Sequence, residues 1–208
     1  SELHAANKTT EIRSIIVRWL QPPVYLTIPG FFGAIILGEA VLSVPFGEEI
    51  VVAVPVLTLF MAEKVIRSSH LLFATTIYSM DHPELGYRAE VAALALNLVL
   101  NITLIPPFGI IGAAVATTTS SVLAALINWY YLSQIIDFRL PLPQFGWSAV
   151  SAFVMAGGVY ILEPHLPHDW IGLSLGVVSG ALLYAVVLIA NPTIRREILS
   201  FRQQSVKP

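Results

Sequence analysis

Long apolar stretches alternate with short polar segments along the whole chain. A helix rises about 1.5 Å per residue, so roughly 20 apolar residues cross the apolar core of a bilayer. The pattern predicts an all-α, polytopic transmembrane helix bundle rather than a water-soluble fold. It predicts six spans, at about residues 22–44, 50–78, 88–105, 108–136, 145–162 and 170–190.

The stretch before the first predicted span has a different pattern. Between Thr10 and Gln21 the apolar residues recur at i, i+3, i+4, i+7 and i+8, which is one face of a helix. This periodicity predicts an amphipathic helix at the membrane surface, with Trp19 at the level of the lipid headgroups. A helix packed on a soluble partner would have the same pattern and stays an alternative.

Proline and glycine predict where the helices bend or end. Pro29-Gly30 and Gly33 lie inside the first span and predict a kink or a broken segment. The Pro106-Pro107 pair and Gly109 predict a tight hairpin between the third and fourth spans. Small residues from Gly112 onward would let the fourth span approach a neighbouring helix closely.

Composition places the protein in a membrane. Hydrophobic residues make up 56% of the 208 residues and charged residues only 12%, about half the roughly 25% that is usual in soluble domains. So few charges could not cover a water-facing exterior. The chain has no cysteine, which excludes disulfides and thiolate metal sites.

The distribution of basic residues predicts the orientation. With six spans, nine of the eleven Lys and Arg residues fall on one side and none on the other, while Lys64 and Arg67 lie within the second span. Basic residues favour the cytoplasmic side. We therefore expect a multi-pass protein of the cell membrane with both termini of this chain cytoplasmic and the Pro106-Pro107 hairpin facing outward.

The segment from Asn97 to Thr117 carries a recognisable motif. It reads N-x-x-x-N-x-x-L-I-P-x-F-G-I-x-G-A-A-x-A-T. This wording resembles the signature in the C-terminal half of prokaryotic polysaccharide biosynthesis flippases, which export lipid-linked oligosaccharides. They belong to the multidrug/oligosaccharidyl-lipid/polysaccharide exporter superfamily. The resemblance implies a two-lobed bundle of about twelve to fourteen helices that works by alternating access.

The resemblance also implies how this chain is organised. Residues 1–21 would be a cytoplasmic interfacial helix, and residues 22–136 four helices of the second lobe, without that lobe's first two. Residues 137–190 would be two additional transmembrane helices, and residues 191–208 a basic cytoplasmic tail. The chain lacks an initiator Met and is expected to be the C-terminal part of a longer transporter. Its partners would be the remaining N-terminal part, membrane lipids and a lipid-linked oligosaccharide substrate.

The second span carries ionisable residues at membrane depth. Glu63, Arg67 and His70 stand at i, i+4 and i+7 on one helical face, with Lys64 about 100° around the helix. Such groups cost a few kcal/mol each in a bilayer and normally face a cavity or a partner. Lys64 and Arg67 are predicted to contact the phosphate or diphosphate of the substrate. In the alternative, Glu63 and Arg67 form an ion pair that only neutralises itself; Lys64 has no obvious local partner.

Further polar residues inside the predicted spans suggest two other roles. Asn97 and Asn101 share a helix face with Glu90, and they are expected either to contact sugar hydroxyls or to bond across helices. Glu39, Glu63 and His70 are candidate ion-coupling groups, because their protonation could change as a cavity opens to one side. The alternative for Glu39 is that it reaches the nearby interface.

Motifs of enzymes are missing from the sequence. It contains no phosphate-binding P-loop, no G-x-S-x-G and no H-E-x-x-H, so we expect no catalysis, no cofactor and no nucleic-acid partner. His165, His168 and Asp169 form an H-x-x-H-D, but Pro167 interrupts the helix that would align the imidazoles, and no metal site is predicted. Two functions besides the flippase stay open: a cation-coupled multidrug exporter of the same superfamily, and a non-transporting membrane assembly subunit.

Overall fold

The computed structural model describes residues 2–136 and 140–196, with side chains from Leu20 onward, and each of its regular elements in this part of the chain is helical. The predicted all-α class is confirmed. Short 3₁₀ turns, Glu48–Ala53 and Glu163–His165, join some of the helices. The α-helices are α1 (Glu2–Phe46), α2 (Val54–Ser79), α3 (Pro83–Ile135), α4 (Leu142–Leu162) and α5 (Trp170–Ile189).

Helix α1 continues through every proline in its sequence. Of the predicted kink or broken segment at Pro29-Gly30, the break is therefore wrong, and the kink stays a prediction. Apolar surroundings favour an unbroken helix, since lipid offers exposed backbone groups no other hydrogen-bonding partner. The Thr27 hydroxyl also donates to the Pro23 carbonyl at 2.9 Å, so this polar side chain is hydrogen-bonded within its own helix. The amphipathic stripe predicted before Leu20 involves side chains outside the described residues, as does the tail from residue 197.

Helix α3 consists of two helices joined at Gly109, as the sequence predicts. Gly109 has φ 55° and ψ −133°, a conformation that is accessible essentially only to glycine. Pro106 and Pro107 still belong to the first helix, so the chain leaves the helical path only at the glycine. We call residues 83–108 α3a and residues 110–135 α3b. Just after the bend, a Cβ on Gly112 would overlap the Leu104 carbonyl oxygen, which shows how closely the two arms approach there.

The number of membrane-spanning helices differs from the six predicted. Among the described residues, four helices are long and apolar enough to cross a membrane: Leu20–Phe46, Pro83–Ile135, Leu142–His165 and Trp170–Ile189. The second of these is 53 residues long and contains the bend at Gly109, so it has the length for two crossings. Helix α2 does not qualify, because it carries the charged residues Glu63, Lys64 and Arg67.

The described chain divides into two compact units. The first comprises the chain up to Thr27 together with Val52–Pro141, and the second comprises Ile28–Val51 together with the chain from Leu142. In the first unit α2 packs against α3, and in the second α4 packs against α5.

Small residues make the helix packing of the first unit close. Every fourth residue of α3b is buried along one stripe: Gly112, Ala116, Ser120, Ala124 and Asn128. Residues this small let two helix backbones approach each other. At the other end of the unit, Gly86 of α3a lies directly against the ring of Tyr78, where a Cβ would overlap the ring.

The second unit uses the same spacing on α5. Its buried residues again recur every fourth position: Gly172, Gly176, Gly180, Tyr184 and Leu188. Two polar contacts fix α4 on α5. The indole N–H of Trp147 donates to the Val187 carbonyl at 3.1 Å, and the Ser148 and Tyr184 hydroxyls lie 2.8 Å apart.

Candidate functional site

Helix α2 has a packed side and an exposed side. The packed side includes Val56, Glu63, Phe73 and Ile77, which are buried. Next to it, exposed residues recur at helical spacing from Phe60 to Tyr78: Phe60, Lys64, Arg67, Leu71, Thr75 and Tyr78. Glu63 and Arg67 stand one turn apart on neighbouring positions of the helix and contact each other. They differ in exposure, because Glu63 is buried and Arg67 is exposed.

Glu63 is buried, and three polar groups surround its carboxylate. Only 1% of the residue is exposed. Its Oε2 accepts a hydrogen bond from Lys64 Nζ at 2.9 Å, and its Oε1 lies 3.5 Å from Arg67 Nη1. Oε1 also accepts from the Ser121 hydroxyl of α3b at 3.2 Å. A buried carboxylate is tolerated only when its charge is paired and its oxygens are hydrogen-bonded, and both conditions hold here.

Lys64 and Arg67 share that single carboxylate and remain accessible. Their side chains are 52% and 62% exposed. The expectation that Lys64 has no local partner is wrong, because its flexible side chain folds back onto the adjacent Glu63. Two positive charges and one negative charge leave the group with a net charge of +1. We call Glu63, Lys64, Arg67 and Ser121 the charged cluster.

Lys64 and Arg67 have N–H donors that their contacts with Glu63 do not use. A lysine ammonium offers three N–H donors and an arginine guanidinium five. Within the described residues, Lys64 and Arg67 each have Glu63 as their only ionic partner. Such groups can bind an oxyanion, and a guanidinium can bind a phosphate in bidentate fashion.

A second ionic contact joins α2 to α3a. Nε2 of His70 lies 3.0 Å from Oε1 of Glu90, and this is an ion pair when the imidazole is protonated. The His70 side chain is 13% exposed and the Glu90 side chain 49%. The Nε2 atom makes no well-aligned hydrogen bond, so the contact depends mainly on charge.

The two asparagines of the motif bond to each other. Asn101 Nδ2 donates to Asn97 Oδ1 at 2.9 Å, and both residues are partly exposed. The pair presents further amide groups, one donor and one acceptor, to its surroundings. This bond joins neighbours on one helix, so both roles that the sequence left open, a contact with sugar hydroxyls and a bond across helices, stay predictions.

Comparison with known proteins identifies the family. The family model described as lipid II flippase MurJ matches residues 1–178. The chain belongs to the MurJ flippase family. The resemblance to polysaccharide biosynthesis flippases is thereby confirmed. Family membership and the apolar helices together make this a multi-pass membrane protein.

Two relatives of this MurJ-family chain come from Haloferax volcanii. The probable low-salt glycan biosynthesis flippase Agl15 is 32% identical over 94% of this chain. The probable flippase AglR is 30% identical over 95% of it. In both comparisons the chain spans only 42% of the relative's length.

A solved structure confirms the fold. The lipid II flippase MurJ in an inward closed conformation matches with a TM-score of 0.77 at 15% sequence identity. The match covers 88% of this MurJ-family chain and 40% of the solved chain. This likeness agrees with the prediction that the chain is part of a two-lobed flippase fold.

Sequence reasoning missed the hydroxyl groups of α3b that face α2. Besides Ser121, the Thr118 hydroxyl lies 3.3 Å from the Leu59 carbonyl of α2. The signal was present as five consecutive hydroxyl residues, positions 117–121, inside an apolar helix. Asn128 was missed as well. It is fully buried, its Nδ2 donates to the Ala124 carbonyl at 3.0 Å, and its Oδ1 has no hydrogen-bonding partner among the described residues.

The other predicted polar residues lie in the second unit. Glu39 is exposed on α1 and forms no ionic contact within the described part of the chain. Asp169 caps α5, because its Oδ1 accepts a hydrogen bond from the Gly172 amide at 2.8 Å. His165 Nδ1 lies 3.3 Å from the Ile161 carbonyl. Nowhere among residues 2–136 and 140–196 do three His, Cys, Asp or Glu residues group as a metal site would require.

Proposed function

We propose that this chain forms part of a flippase that moves a lipid-linked oligosaccharide across the cytoplasmic membrane by alternating access. Membership of the lipid II flippase family supports this assignment. So do the glycan biosynthesis flippase Agl15 and the capsular polysaccharide biosynthesis protein CapF of Staphylococcus aureus, which is 26% identical over 62% of the chain. The protein acts as a transporter and not as an enzyme.

The observation that carries the proposal is the exposed pair Lys64 and Arg67 beside the buried Glu63. A lipid-linked sugar carries an anionic phosphate or diphosphate between glycan and lipid. Cations at membrane depth are costly and are retained where they contact a partner or a polar pathway. Their excess positive charge matches this headgroup, so Lys64 and Arg67 line the pathway and bind it.

Asn97 and Asn101 act next to the glycan. Their mutual hydrogen bond holds the two amides in a fixed arrangement. A paired amide offers a donor and an acceptor, which suits a sugar hydroxyl. The two residues thereby add contacts to the carbohydrate beyond those to the charged headgroup.

Ion coupling is assigned to His70, Glu63 and Glu39. The His70–Glu90 contact depends on protonation, because only the imidazolium is attracted to the carboxylate. Glu63 and Glu39 are the acidic members of this group. A carboxylate at membrane depth is costly unless a partner or a cation balances its charge, which suits a role in ion coupling.

The proposal also covers the position of the chain in the membrane and its partner within the transporter. The chain lies in the cytoplasmic membrane with both its termini on the cytoplasmic side, in accordance with its basic residues. It works together with the part of the transporter that its relatives contain and this chain does not, since it spans 42% of their length.

Export assays on variants test the proposal. The double variant Lys64→Gln/Arg67→Gln in the full-length transporter should reduce export of the lipid-linked glycan at least tenfold, as expected when charged contacts to a phosphate are lost. The matched control, Lys64→Arg/Arg67→Lys, keeps both charges and should retain much more of the activity. Unchanged export by a folded, correctly inserted Gln/Gln variant would contradict the proposal.

A further inference from the structure

We infer that Glu63 is a built-in counter-anion that weakens the hold of Lys64 and Arg67 on the anionic headgroup, so that the bound lipid can leave. The inference rests on the proposed function and assigns Glu63 a role in release. It makes Glu63 a positioning residue that acts through the two cations and does not itself contact the substrate. A transport site must bind its cargo firmly enough to load it and weakly enough to release it.

The position of the carboxylate is fixed. Glu63 is 1% exposed, and Ser121 on α3b donates to its Oε1 at 3.2 Å. An exposed glutamate could swing away when a phosphate arrives. Glu63 is instead tied to a different helix, so its negative charge stays beside the cations whether or not an anion is bound.

The two cations of the cluster lie at different distances from the carboxylate of Glu63. Lys64 Nζ lies 2.9 Å from one carboxylate oxygen, whereas Arg67 Nη1 lies 3.5 Å from the other, at the limit of a hydrogen bond. An incoming diphosphate can use the remaining donors of both cations without displacing Glu63. It then experiences the attraction of two positive charges and the repulsion of one fixed negative charge. Removal of that negative charge should strengthen binding.

The variant Glu63→Gln separates charge from shape. Glutamine has nearly the same size and can still accept the hydrogen bond from Ser121. Loss of one partner of a buried ion pair normally leaves an unpaired buried charge, which is strongly destabilising. Here the partners left behind are Lys64 and Arg67, whose side chains are 52% and 62% exposed, so the folded protein should tolerate the change.

Titration of the purified full-length transporter with inorganic pyrophosphate measures the effect. Glu63→Gln should lower the Kd about three- to tenfold, as expected for one charge at a partly exposed site, and the difference should shrink at high salt. Turnover should fall because release becomes slower. The control Glu84→Gln removes a negative charge at the exposed start of α3 and should keep the native Kd within about twofold.

A second variant tests the same idea without changing a buried residue. Phe60 is exposed and lies one turn before Lys64 on the same stripe. Phe60→Glu adds a carboxylate at i, i+4 to the lysine and should raise the Kd for pyrophosphate several-fold. An unchanged Kd in Glu63→Gln would overturn the inference, and an unchanged Kd in Phe60→Glu would contradict its premise that a carboxylate beside the cations weakens binding.

The outcomes distinguish this inference from the proposed function. If Lys64→Gln/Arg67→Gln binds pyrophosphate as well as the native protein, the site itself is wrong and the proposed function loses its support. If the double variant binds poorly but Glu63→Gln binds no tighter, only the counter-anion role is wrong.

The same titration in phosphatidylglycerol nanodiscs tests whether the cations bind anionic lipid instead. Pyrophosphate binding should persist there, and its loss would assign the cations to bulk anionic lipid and overturn the inference.

Discussion

The Nε2 atom of His70 lies 3.0 Å from Oε1 of Glu90, and this contact sets the antiparallel register of α2 against α3a. Antiparallel helices advance by the same rise in opposite directions. Asn97, seven residues after Glu90, therefore lies at about the level of Glu63, seven residues before His70. Glu63 in turn accepts a hydrogen bond from Ser121 of α3b. The acidic, amide and hydroxyl groups thus occupy one polar layer of the first unit.

Spin labels can test this layer, since the chain contains no cysteine of its own. Labels on cysteines at positions 97 and 121 should have the same depth in the bilayer to within about 5 Å, one helical turn. A label at position 105, eight residues beyond Asn97 on α3a, serves as the control and should differ by about 12 Å. Power-saturation measurements give these depths. A difference of two turns between positions 97 and 121 would contradict the register.

The sequence predicts the backbone of this protein better than its side-chain partners. The bend at Gly109 follows from local chemistry, because proline and glycine act on the residues beside them. The continuity of α1 through Pro29 does not follow from local chemistry, since it depends on surroundings that offer no alternative hydrogen bonds. Sequence patterns predict bends and helix ends that depend on residues within one or two helical turns.

At the candidate site, too, the sequence predicts which residues matter but not which partners they contact. The sequence identifies Lys64 and Arg67 from their charge alone, because few residues at membrane depth are ionisable. It does not reveal that both cations share Glu63, or that Ser121 holds this carboxylate. Those contacts depend on which side of α2 turns toward α3b. A residue 58 positions away in the chain supplies the decisive hydrogen bond.

The bend in α3 should depend on its glycines. Gly109→Ala places a side chain at φ 55° and should destabilise the protein by about 1–3 kcal/mol. Gly112→Ala should cost a similar amount, because its Cβ would overlap the Leu104 carbonyl. Gly157→Ala is the control, since a Cβ there meets no atom within 4 Å and alanine favours a helix.

Thermal unfolding in detergent compares the three variants. The midpoint temperature should fall for Gly109→Ala and Gly112→Ala and stay the same or rise for Gly157→Ala. Equal midpoints for all three would mean that the bend tolerates ordinary residues.

The hydroxyl pair in the second unit should stabilise the packing of α4 on α5. The Ser148 side chain is buried, and its hydroxyl lies 2.8 Å from that of Tyr184. Tyr184→Phe leaves the Ser148 hydroxyl without this partner and should lower the free energy of unfolding by about 1–2 kcal/mol. Tyr160→Phe, at an exposed position of the same unit, should change it by less than about 0.5 kcal/mol. Equal effects of the two variants in the same unfolding assay would exclude a stabilising role for the pair.

Cysteine labelling along α2 measures whether water reaches Lys64 and Arg67. Single cysteines at positions 60 to 72 of the full-length transporter would be probed with a membrane-impermeant thiol reagent. We expect labelling at positions 60, 64, 67 and 71, protection of positions 64 and 67 by the lipid-linked sugar, and little reaction at the packed positions 63 and 70. Absence of labelling on every side of α2 would contradict it, because Lys64 and Arg67 would then be closed off from any aqueous transport pathway.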